Sequence, residues 1–577
     1  MCRTVYAGDI AISSQLFIFM IFNIAIFLFA LFYLYLSWKR LDWAVLLLVV
    51  ALPSYLIRFN VGIPMTLLEL MILIAFFVWL ITKTNFKLFL RGKYDWKDFK
   101  ENRLKRERYP WRWEISFLLL FSWSAIAVAG FTDGALGIWK AYFFEPILVF
   151  ILILNLFKQD LSFRTDSPAS GEVRNPLNFK TDLKGSLAGA RDDKKNVGLN
   201  IEKIILALAI SAFFVSLLSI YQKITGDLIS NPLWAAAETR RVVSFFGYPN
   251  AVGLYLGPIV MILLGYLSDV ILKPKAEKSQ VQLDKTSSPS DQRFFARWAQ
   301  NDNVKKVFIG STIVLSLLSI YFAKSEGALV GLAAALFVFG ILAGKKMRWA
   351  TLAFTIVVSS AVLLYAPTRT VVLDKVQLYD LSGQIRRQQW KETWRMLNDG
   401  RLLSGAGLDN YQAIIKPYHQ EGIFVYDFHD PNFHEKLVAS DELKKKVWQP
   451  TEIYMYPHNI LLNFWSELGL VGMLLFVWIF IKFFWVLISN LIIEKRYFCH
   501  PRESGDLEPT CNKNEIPACA GMTRRYFINL GLLCAMIVIV IHGLVDVPYF
   551  KNDLSVMFWI MVAMQSLINL QTKNKEI

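Results

Sequence analysis

The amino-acid sequence predicts an all-α polytopic membrane protein with about 12–13 transmembrane helices and one large, partly helical extracytoplasmic loop. Three observations support this fold class. Over 577 residues the mean hydropathy is +0.39 and 55% of the residues are hydrophobic, which is too apolar for a soluble chain of several domains. Apolar stretches of roughly 20 residues recur along the chain. Lysine and arginine collect in alternate loops between these stretches, as they do in helical membrane proteins.

The apolar stretches are long enough to give about thirteen candidate spans. The first has neither a basic start nor a small-residue cleavage site, so we interpret it as a retained span rather than a signal peptide. The second is the shortest. The candidate spans are 16–36, 43–57, 63–81, 115–129, 137–157, 204–221, 251–270, 307–323, 328–344, 349–366, 468–493, 527–542 and 554–570.

The loop charges predict the orientation and the domain organisation. The basic loops all fall on one side of this arrangement, which puts the N-terminus outside, the C-terminus in the cytoplasm and the large loop outside. We therefore divide the chain into three parts. These are an N-terminal bundle at 1–366 with polar insertions near 158–203 and 272–306, the loop at 367–457, and a C-terminal bundle at 458–577 with an insertion at 494–525.

The net charge of +16 does not indicate a nucleic-acid partner, because it is spread over loops that flank spans. Lipid headgroups are its expected neighbours. The sequence contains no phosphate-binding G-x-x-x-x-G-K-[ST], no H-E-x-x-H and no pair of aspartates separated by one residue. We therefore expect no metal and no cofactor, and ATP-driven transport and metal-dependent hydrolysis lose support.

Three polar elements are predicted to lie at the outer membrane boundary. In "RRVVSFFGYPN", Arg240 and Arg241 precede a span that begins near Asn250. Such arginines often reach lipid headgroups, but a pair of them is less expected on an external loop. In "GQIRRQQWKETW", Arg386 and Arg387 belong to an amphipathic helix with Trp390. A solvated helix charge is the alternative interpretation.

The third element, "YPHNILLNFWSELG", begins the first span after the large loop. His458 and Asn459 stand at the loop exit, and Glu467 lies near the start of the span. An imidazole has an ordinary pKa of ~6.5 and can exchange a proton near neutral pH, although a lone interfacial histidine is often structural.

The order and spacing of these elements resemble the O-antigen ligase and polymerase-like membrane family of bacterial surface-glycan assembly. The shared pattern comprises Arg241 to Asn250, Arg386 and Trp390 leading to the Gly405–Gly407 turn, and His458 to Gly472. "PSYLIRFNVGIPMTLLEL" and "HGLVDVPYF" also look family-like. One departure stands out. Where the family commonly has Ser-Arg-Gly, this chain has Ser325, Glu326 and Gly327, and we expect Lys324 to supply the missing basic contact.

The resemblance implies transfer of a glycan from an undecaprenyl-diphosphate carrier to a lipid, polysaccharide or protein hydroxyl, at the outer face of the bacterial cytoplasmic membrane. Lipopolysaccharide assembly is the typical setting. We predict catalytic roles for His458, Arg241 and Arg386 in a metal-independent, inverting reaction. The predicted substrate-binding residues are Arg240, Arg387, Lys324, Asn250, Trp390, Asn459 and Glu467.

Three alternatives remain open on the sequence, of which the last is a receptor-like structural role for the large loop. A polysaccharide polymerase of the same family would use the same residues. A transporter or flippase for lipid-linked glycans is a different class, suggested by the number of spans and by Glu69 and Glu145 inside spans. These two carboxylates are expected to hold the arginines or other cations, or to form structural pairs.

Overall fold

The computed structural model describes residues 2–60, 62, 64–83, 111–157, 179–272, 302–499 and 523–573. Within these ranges the chain is almost entirely helical, so the predicted all-α fold class is confirmed. Much of each predicted insertion lies outside the described residues. The strands of the described ranges form two short antiparallel pairs, β1 (Arg58–Asn60) with β2 (Pro64–Thr66) and β3 (Gly422–Phe424) with β4 (Trp448–Pro450).

The described helices are numbered in chain order. They are α1 (Cys2–Lys39), α2 (Leu41–Val50), α3 (Leu67–Lys83), α4 (Arg112–Val128), α5 (Asp133–Trp139), α6 (Glu145–Phe157), α7 (Phe179–Thr225), α8 (Pro232–Ala235), α9 (Pro249–Leu272), α10 (Asp302–Ala323), α11 (Glu326–Leu342), α12 (Lys345–Leu364), α13 (Ala366–Gln377), α14 (Leu381–Met396), α15 (Tyr411–Ile415), α16 (Phe433–Ala439), α17 (Asp441–Val447), α18 (Ile460–Cys499), α19 (Thr523–His542) and α20 (Asn552–Lys573).

Each predicted span coincides with helical structure. Among the described residues, nine helical segments are long and apolar enough to cross a membrane. The chain is therefore a multi-pass membrane protein. The other four predicted spans fall on α2, α3, α4 and α11, which have 10 to 17 residues. At about 1.5 Å per residue, α2 is too short to cross the hydrocarbon core by itself.

One compact unit comprises Met1–Arg108, Glu145–Ser211 and Val556–Ile577. Within it α1, α2, α3 and α6 pack together through apolar side chains. Glu69 begins α3 with a reciprocal cap. Its Oε2 accepts a hydrogen bond from the Thr66 N–H at 2.9 Å, and the Glu69 N–H donates to Thr66 Oγ1 at 3.2 Å. This carboxylate therefore has a structural use at a helix start.

The second compact unit comprises Tyr109–Phe144 and Ala212–Ser555. Its centre is α9, which is buried along most of its length and packs against α10, α11 and α19. The approach of α9 to α19 requires two glycines. A Cβ atom on Gly265 would collide with the Phe527 carbonyl oxygen, and one on Gly531 would lie 2.8 Å from the Met261 carbonyl oxygen. Small residues allow such backbone contact in membranes.

The segment between α12 and α18 is partly helical, as predicted for the large loop. Its small apolar core contains Met396, Leu397, Ala406, Tyr411 and Ile415. The segment includes α13 to α17 and the β3–β4 hairpin.

The glycine-rich turn at 405–407 joins this segment to two long helices of the same unit. The Ala406 N–H donates to the Ser466 carbonyl oxygen of α18 at 2.6 Å, and the Leu408 N–H donates to the Ala125 carbonyl oxygen of α4 at 3.3 Å. Gly405 has φ +68°, and a Cβ atom there would lie 2.6 Å from the Trp465 carbonyl oxygen. The turn thus fixes α14, which precedes it, relative to the start of α18.

Candidate functional site

Arg241 closes the C-terminal end of α10. Its Nε donates to the Ala323 carbonyl oxygen at 3.0 Å, and one terminal nitrogen donates to the Lys324 carbonyl oxygen at 3.3 Å. Helix C-terminal carbonyls carry partial negative charge and favour a cation. Burial lowers the pKa of the half-buried guanidinium, an effect that the charge of Glu326 opposes. The group remains cationic at neutral pH because arginine titrates far above it.

Asn250 links Arg241 to a residue that is distant in sequence. Its Oδ1 accepts from the Arg241 terminal nitrogen at 3.4 Å, and its Nδ2 donates to Asp546 Oδ2 at 3.1 Å. The other carboxylate oxygen of Asp546 accepts from the Val547 N–H at 2.8 Å. The start of α9 and the segment after α19 are thereby held at one place.

His458 stands directly before α18 in a strained left-handed conformation, with φ +46°. Its Nδ1 lies 3.2 Å from Gln389 Oε1. Since an amide oxygen can only accept, Nδ1 carries the proton and Nε2 keeps its lone pair in the neutral ring. Among the described residues, no side chain or backbone group forms a hydrogen bond with Nε2.

Two tyrosine rings and two charges surround this imidazole. The ring centroids of Tyr454 and Tyr456 lie 5.1 Å and 4.9 Å from that of His458. Burial lowers the pKa of His458, the negative charge of Asp546 opposes this, and the positive charge of Arg386 lowers the pKa further. His458 is therefore neutral at neutral pH and able to accept a proton.

Helix α14 brings Arg386 to the same region. Trp390, one turn further along the helix, donates from Nε1 to the Pro457 carbonyl oxygen at 2.9 Å and so ties α14 to the residue before His458. The charge of Arg386 acts on Tyr454, His458 and His542. Within the described part of the chain, its guanidinium forms no hydrogen bond and no ion pair. Its donors are thus available to a ligand.

The structure therefore brings together six residues of the three predicted elements: Arg241, Asn250, Arg386, Trp390, His458 and the neighbouring Asn459. Asn459 begins α18 as a cap. Its Oδ1 accepts from the N–H groups of Leu461 and Leu462, and its Nδ2 donates to the Leu544 carbonyl oxygen at 3.0 Å.

The other four predicted binding residues are Arg240, Glu467, Arg387 and Lys324. Each contacts a backbone group or an aromatic ring of the protein. Arg240 donates to the carbonyl oxygens of Lys223, Ile224 and Ala235 at 3.0–3.1 Å, which closes the end of α7. The buried Glu467 accepts from the Asp409 N–H at 2.9 Å and supports the glycine-rich turn.

Arg387 lies over the Phe428 ring at 5.8 Å from its centroid. Lys324 is exposed, and its Nζ donates to the Thr239 carbonyl oxygen at 3.4 Å. Glu326, which replaces the basic residue of the family pattern, pairs with Lys375 of α13 at 2.9 Å. Lys375 is thus a cation in direct contact with the residue at which the sequence departs from the family pattern.

The interpretation of the sequence missed three residues of "HGLVDVPYF" and its extension, namely His542, Asp546 and Lys551. The charges of Asp546 and Arg386 act on both His458 and His542. His542 is buried, and its ring packs on Gly327, where a Cβ atom would lie 3.0 Å from Nε2. The family-like appearance of "HGLVDVPYF" was the available signal. It did not indicate which of its residues reach the site.

In the part of the chain that the structure describes, no three His, Cys, Asp or Glu side chains gather closely enough to hold a metal ion. The cations of the site are the arginine and lysine side chains just described.

A comparison with protein families gives a match over part of the chain. Residues 311–477 match the O-antigen ligase family. The resemblance inferred from the motifs is confirmed over this range, which contains Arg386, Trp390 and His458. Arg241, Asn250 and Asp546 lie outside it. The O-antigen ligase match supports glycosyl transfer of the ligase or polymerase type, with lipid-linked glycans and acceptors as general partners. No curated protein matches the chain.

Proposed function

We propose that the protein transfers a glycan from an undecaprenyl-diphosphate carrier to an acceptor hydroxyl on the outer face of the bacterial cytoplasmic membrane. The observation that supports this most is that Asn250 links Arg241 to Asp546, whose charge acts on His458 together with that of Arg386. The acceptor is a lipid, a polysaccharide or a protein hydroxyl. In this proposal the loop at 367–457 and the N-terminus face outward, and the C-terminus is cytoplasmic.

The two arginines would stabilise the leaving group. When the bond between the anomeric carbon and the diphosphate oxygen breaks, the electron pair stays on that oxygen and the diphosphate gains negative charge. Guanidinium groups donate to phosphate oxygens in bidentate geometry and keep their charge at all relevant pH values. The Arg386 guanidinium, which has no partner among the described residues, and the Arg241 group at the end of α10 suit this task, and in the proposed reaction they act in place of a metal ion.

His458 would act on the acceptor. The lone pair on Nε2 takes the proton of the acceptor hydroxyl while its oxygen attacks the anomeric carbon from the face opposite the diphosphate. One displacement of this kind inverts the anomeric configuration. Gln389 would hold the imidazole in the required tautomer through Nδ1. The lowered pKa of His458 supports this role because it keeps the base unprotonated at neutral pH.

A polymerase would use the same groups with a growing glycan as the acceptor. A transporter without chemistry is the second class. The Nε2 atom of His458 favours transfer over transport, because it has no hydrogen-bond partner among the described residues and is therefore free to accept a proton.

The test uses purified protein in lipid nanodiscs with a lipid-linked oligosaccharide and candidate acceptors. Wild-type protein is expected to form a covalent glycan–acceptor product. The triple variant Arg241→Ala, Arg386→Ala, His458→Ala is expected to form none, whereas His429→Ala keeps activity because His429 is exposed and pairs with Asp374. Transfer by the triple variant would overturn the assigned roles. Carrier translocation in proteoliposomes without any covalent product would favour the transporter.

A further inference from the structure

Lys551 is a partly buried cation next to the site, and it has no assigned role. It lies directly before α20, and its Nζ is 4.0 Å from the centroid of the Tyr248 ring and 5.7 Å from that of Phe246. Within the described residues, its ammonium group donates no hydrogen bond. An ammonium ion has three donors, so this group is able to bind an anion.

Charges around Lys551 keep it close to the rest of the site. Burial lowers the pKa of its ammonium group, and the carboxylates of Asp553 and Asp546 oppose this change. Asp546 is also the residue that binds Asn250 and whose charge acts on His458. The Asp546 carboxylate thus interacts with the charges of Lys551 and His458 and binds the Asn250 side chain that contacts Arg241.

A pair of tyrosines connects Lys551 to the imidazole. The hydroxyl oxygens of Tyr248 and Tyr456 lie 3.4 Å apart, and the Tyr456 ring centroid lies 4.9 Å from that of His458. Tyr248 holds the ammonium against its ring face, and Tyr456 packs against the proposed base. The cation is therefore separated from the base by two side chains.

We infer that Lys551 is a third cation of the site and binds the diphosphate group of the lipid-linked donor. The Tyr248 ring, against which the ammonium group lies, positions Lys551 for this contact. This inference rests on the proposed function for the identity of the donor. A diphosphate offers more acceptor oxygens than two guanidinium groups occupy, and an ammonium ion is a compact donor for those that remain. Binding would supply the hydrogen bonds that Lys551 lacks.

A second lysine shows what a purely structural contact of this type looks like. Lys223 at the end of α7 lies over the Phe322 ring at 5.4 Å. Only its backbone carbonyl, which accepts from Arg240, contacts a residue considered above, and a substitution leaves that carbonyl in place. Lys223→Met is therefore the matched control, because it removes a lysine that is packed on an aromatic ring.

The experiment measures binding of inorganic pyrophosphate to the full-length protein in detergent with a chelator present. Thermal stabilisation by pyrophosphate and competitive inhibition of transfer are the two readouts. Lys551→Met and Lys551→Gln are made in parallel. If one of these neutral variants does not fold, the other still provides the test. Each is expected to weaken pyrophosphate binding about tenfold, as for loss of one hydrogen bond to a charged group. Lys551→Arg is expected to retain most of the affinity, and Lys223→Met all of it.

The two proposals fail in different ways. If a folded neutral variant binds pyrophosphate within twofold of wild type, the role of Lys551 is overturned even though glycan transfer stands. If Lys551 is needed to bind pyrophosphate but no acceptor is ever glycosylated, the proposed function fails and the anion site stands. A loss of stability in Lys551→Arg as large as in Lys551→Met, with unchanged pyrophosphate affinity, would assign Lys551 to packing.

Discussion

The amide of Asn250 donates a hydrogen bond of 3.1 Å to the carboxylate of Asp546 across 296 positions of the sequence. This contact joins the segment that carries Arg241 to the segment after α19. Because Asn250 also accepts from Arg241, a change at either partner alters where the guanidinium lies.

We expect Asn250→Ala and Asp546→Asn each to lower the turnover number of glycan transfer by about tenfold, since each disturbs one of the contacts that position Arg241. The double variant should be little worse than the worse single one, because both changes break one network with a coupling of about 0.5–3 kcal/mol. Asp430→Asn, at an exposed carboxylate paired with Lys436, is the control and should keep activity. Fully additive losses would mean that the two residues act separately.

The acid limb of the pH–rate profile should report His458. Burial lowers the pKa of this imidazole, and the charge of Arg386 lowers it further. The neutral form is the base, so kcat/KM should be constant near neutral pH and fall as the pH drops through a value below the ordinary ~6.5. Gln389→Glu places an anion at Nδ1 and should move the limb upward by about one unit. An identical limb in wild type and Gln389→Glu would exclude His458 as the titrating base.

Substitution of Lys375 tests the effect of Glu326, which stands where the related family commonly has a basic residue. Lys375 Nζ lies 2.9 Å from Glu326 and 2.8 Å from Asp380, which precedes α14. Lys375→Met should lower the free energy of unfolding by less than about 1 kcal/mol, because these pairs are exposed.

Activity should respond more strongly than stability to the same change. Without Lys375, the charge of Glu326 acts unopposed near Arg241, so the KM for the donor should rise severalfold. Adding Glu326→Gln should restore the KM. If the double variant has the same raised KM as Lys375→Met, the charge of Glu326 is not the cause.

The glycine-rich turn is expected to be intolerant of a side chain. Gly405→Ala introduces a Cβ atom against the carbonyl oxygens of Trp465 and Ser466 at a φ of +68°, and should lower the free energy of unfolding by about 1–3 kcal/mol. Gly137→Ala is the matched control, since the residue is in helix α5 and no atom beyond its chain neighbours and the adjacent helix backbone lies within 4 Å of its Cβ position. The control should be neutral or slightly stabilising. Thermal unfolding monitored in detergent distinguishes the two variants.

The fold was largely predictable because lipid exposure makes hydropathy and loop charge strong signals. The exceptions are instructive: α2 has ten residues followed by a tight 3₁₀ turn, so an apolar stretch of the right length does not form one continuous span. Helix length depends on helix-breaking residues such as Pro53, and the mean hydropathy of a stretch does not reveal them.

The site was predictable in part. Arg241, Arg386 and His458 stand in recognisable patterns, and the structure brings them together. Asp546 and Lys551 were missed because an acid and a lysine after the second-last helix look like ordinary loop charges. Arg240, Asn459 and Glu467 looked equally functional in the sequence, yet they bind backbone groups of helix ends and turns. Only the folded chain supplies those partners.

The most direct measurement is a cryo-electron microscopy structure of the protein in a nanodisc with a non-cleavable lipid-diphosphate donor analogue. We predict that the diphosphate lies within hydrogen-bond distance of both Arg241 and Arg386, with Nε2 of His458 facing the anomeric carbon. Density for the diphosphate away from these two guanidinium groups, or His458 turned from the sugar, would contradict the assignment of this site.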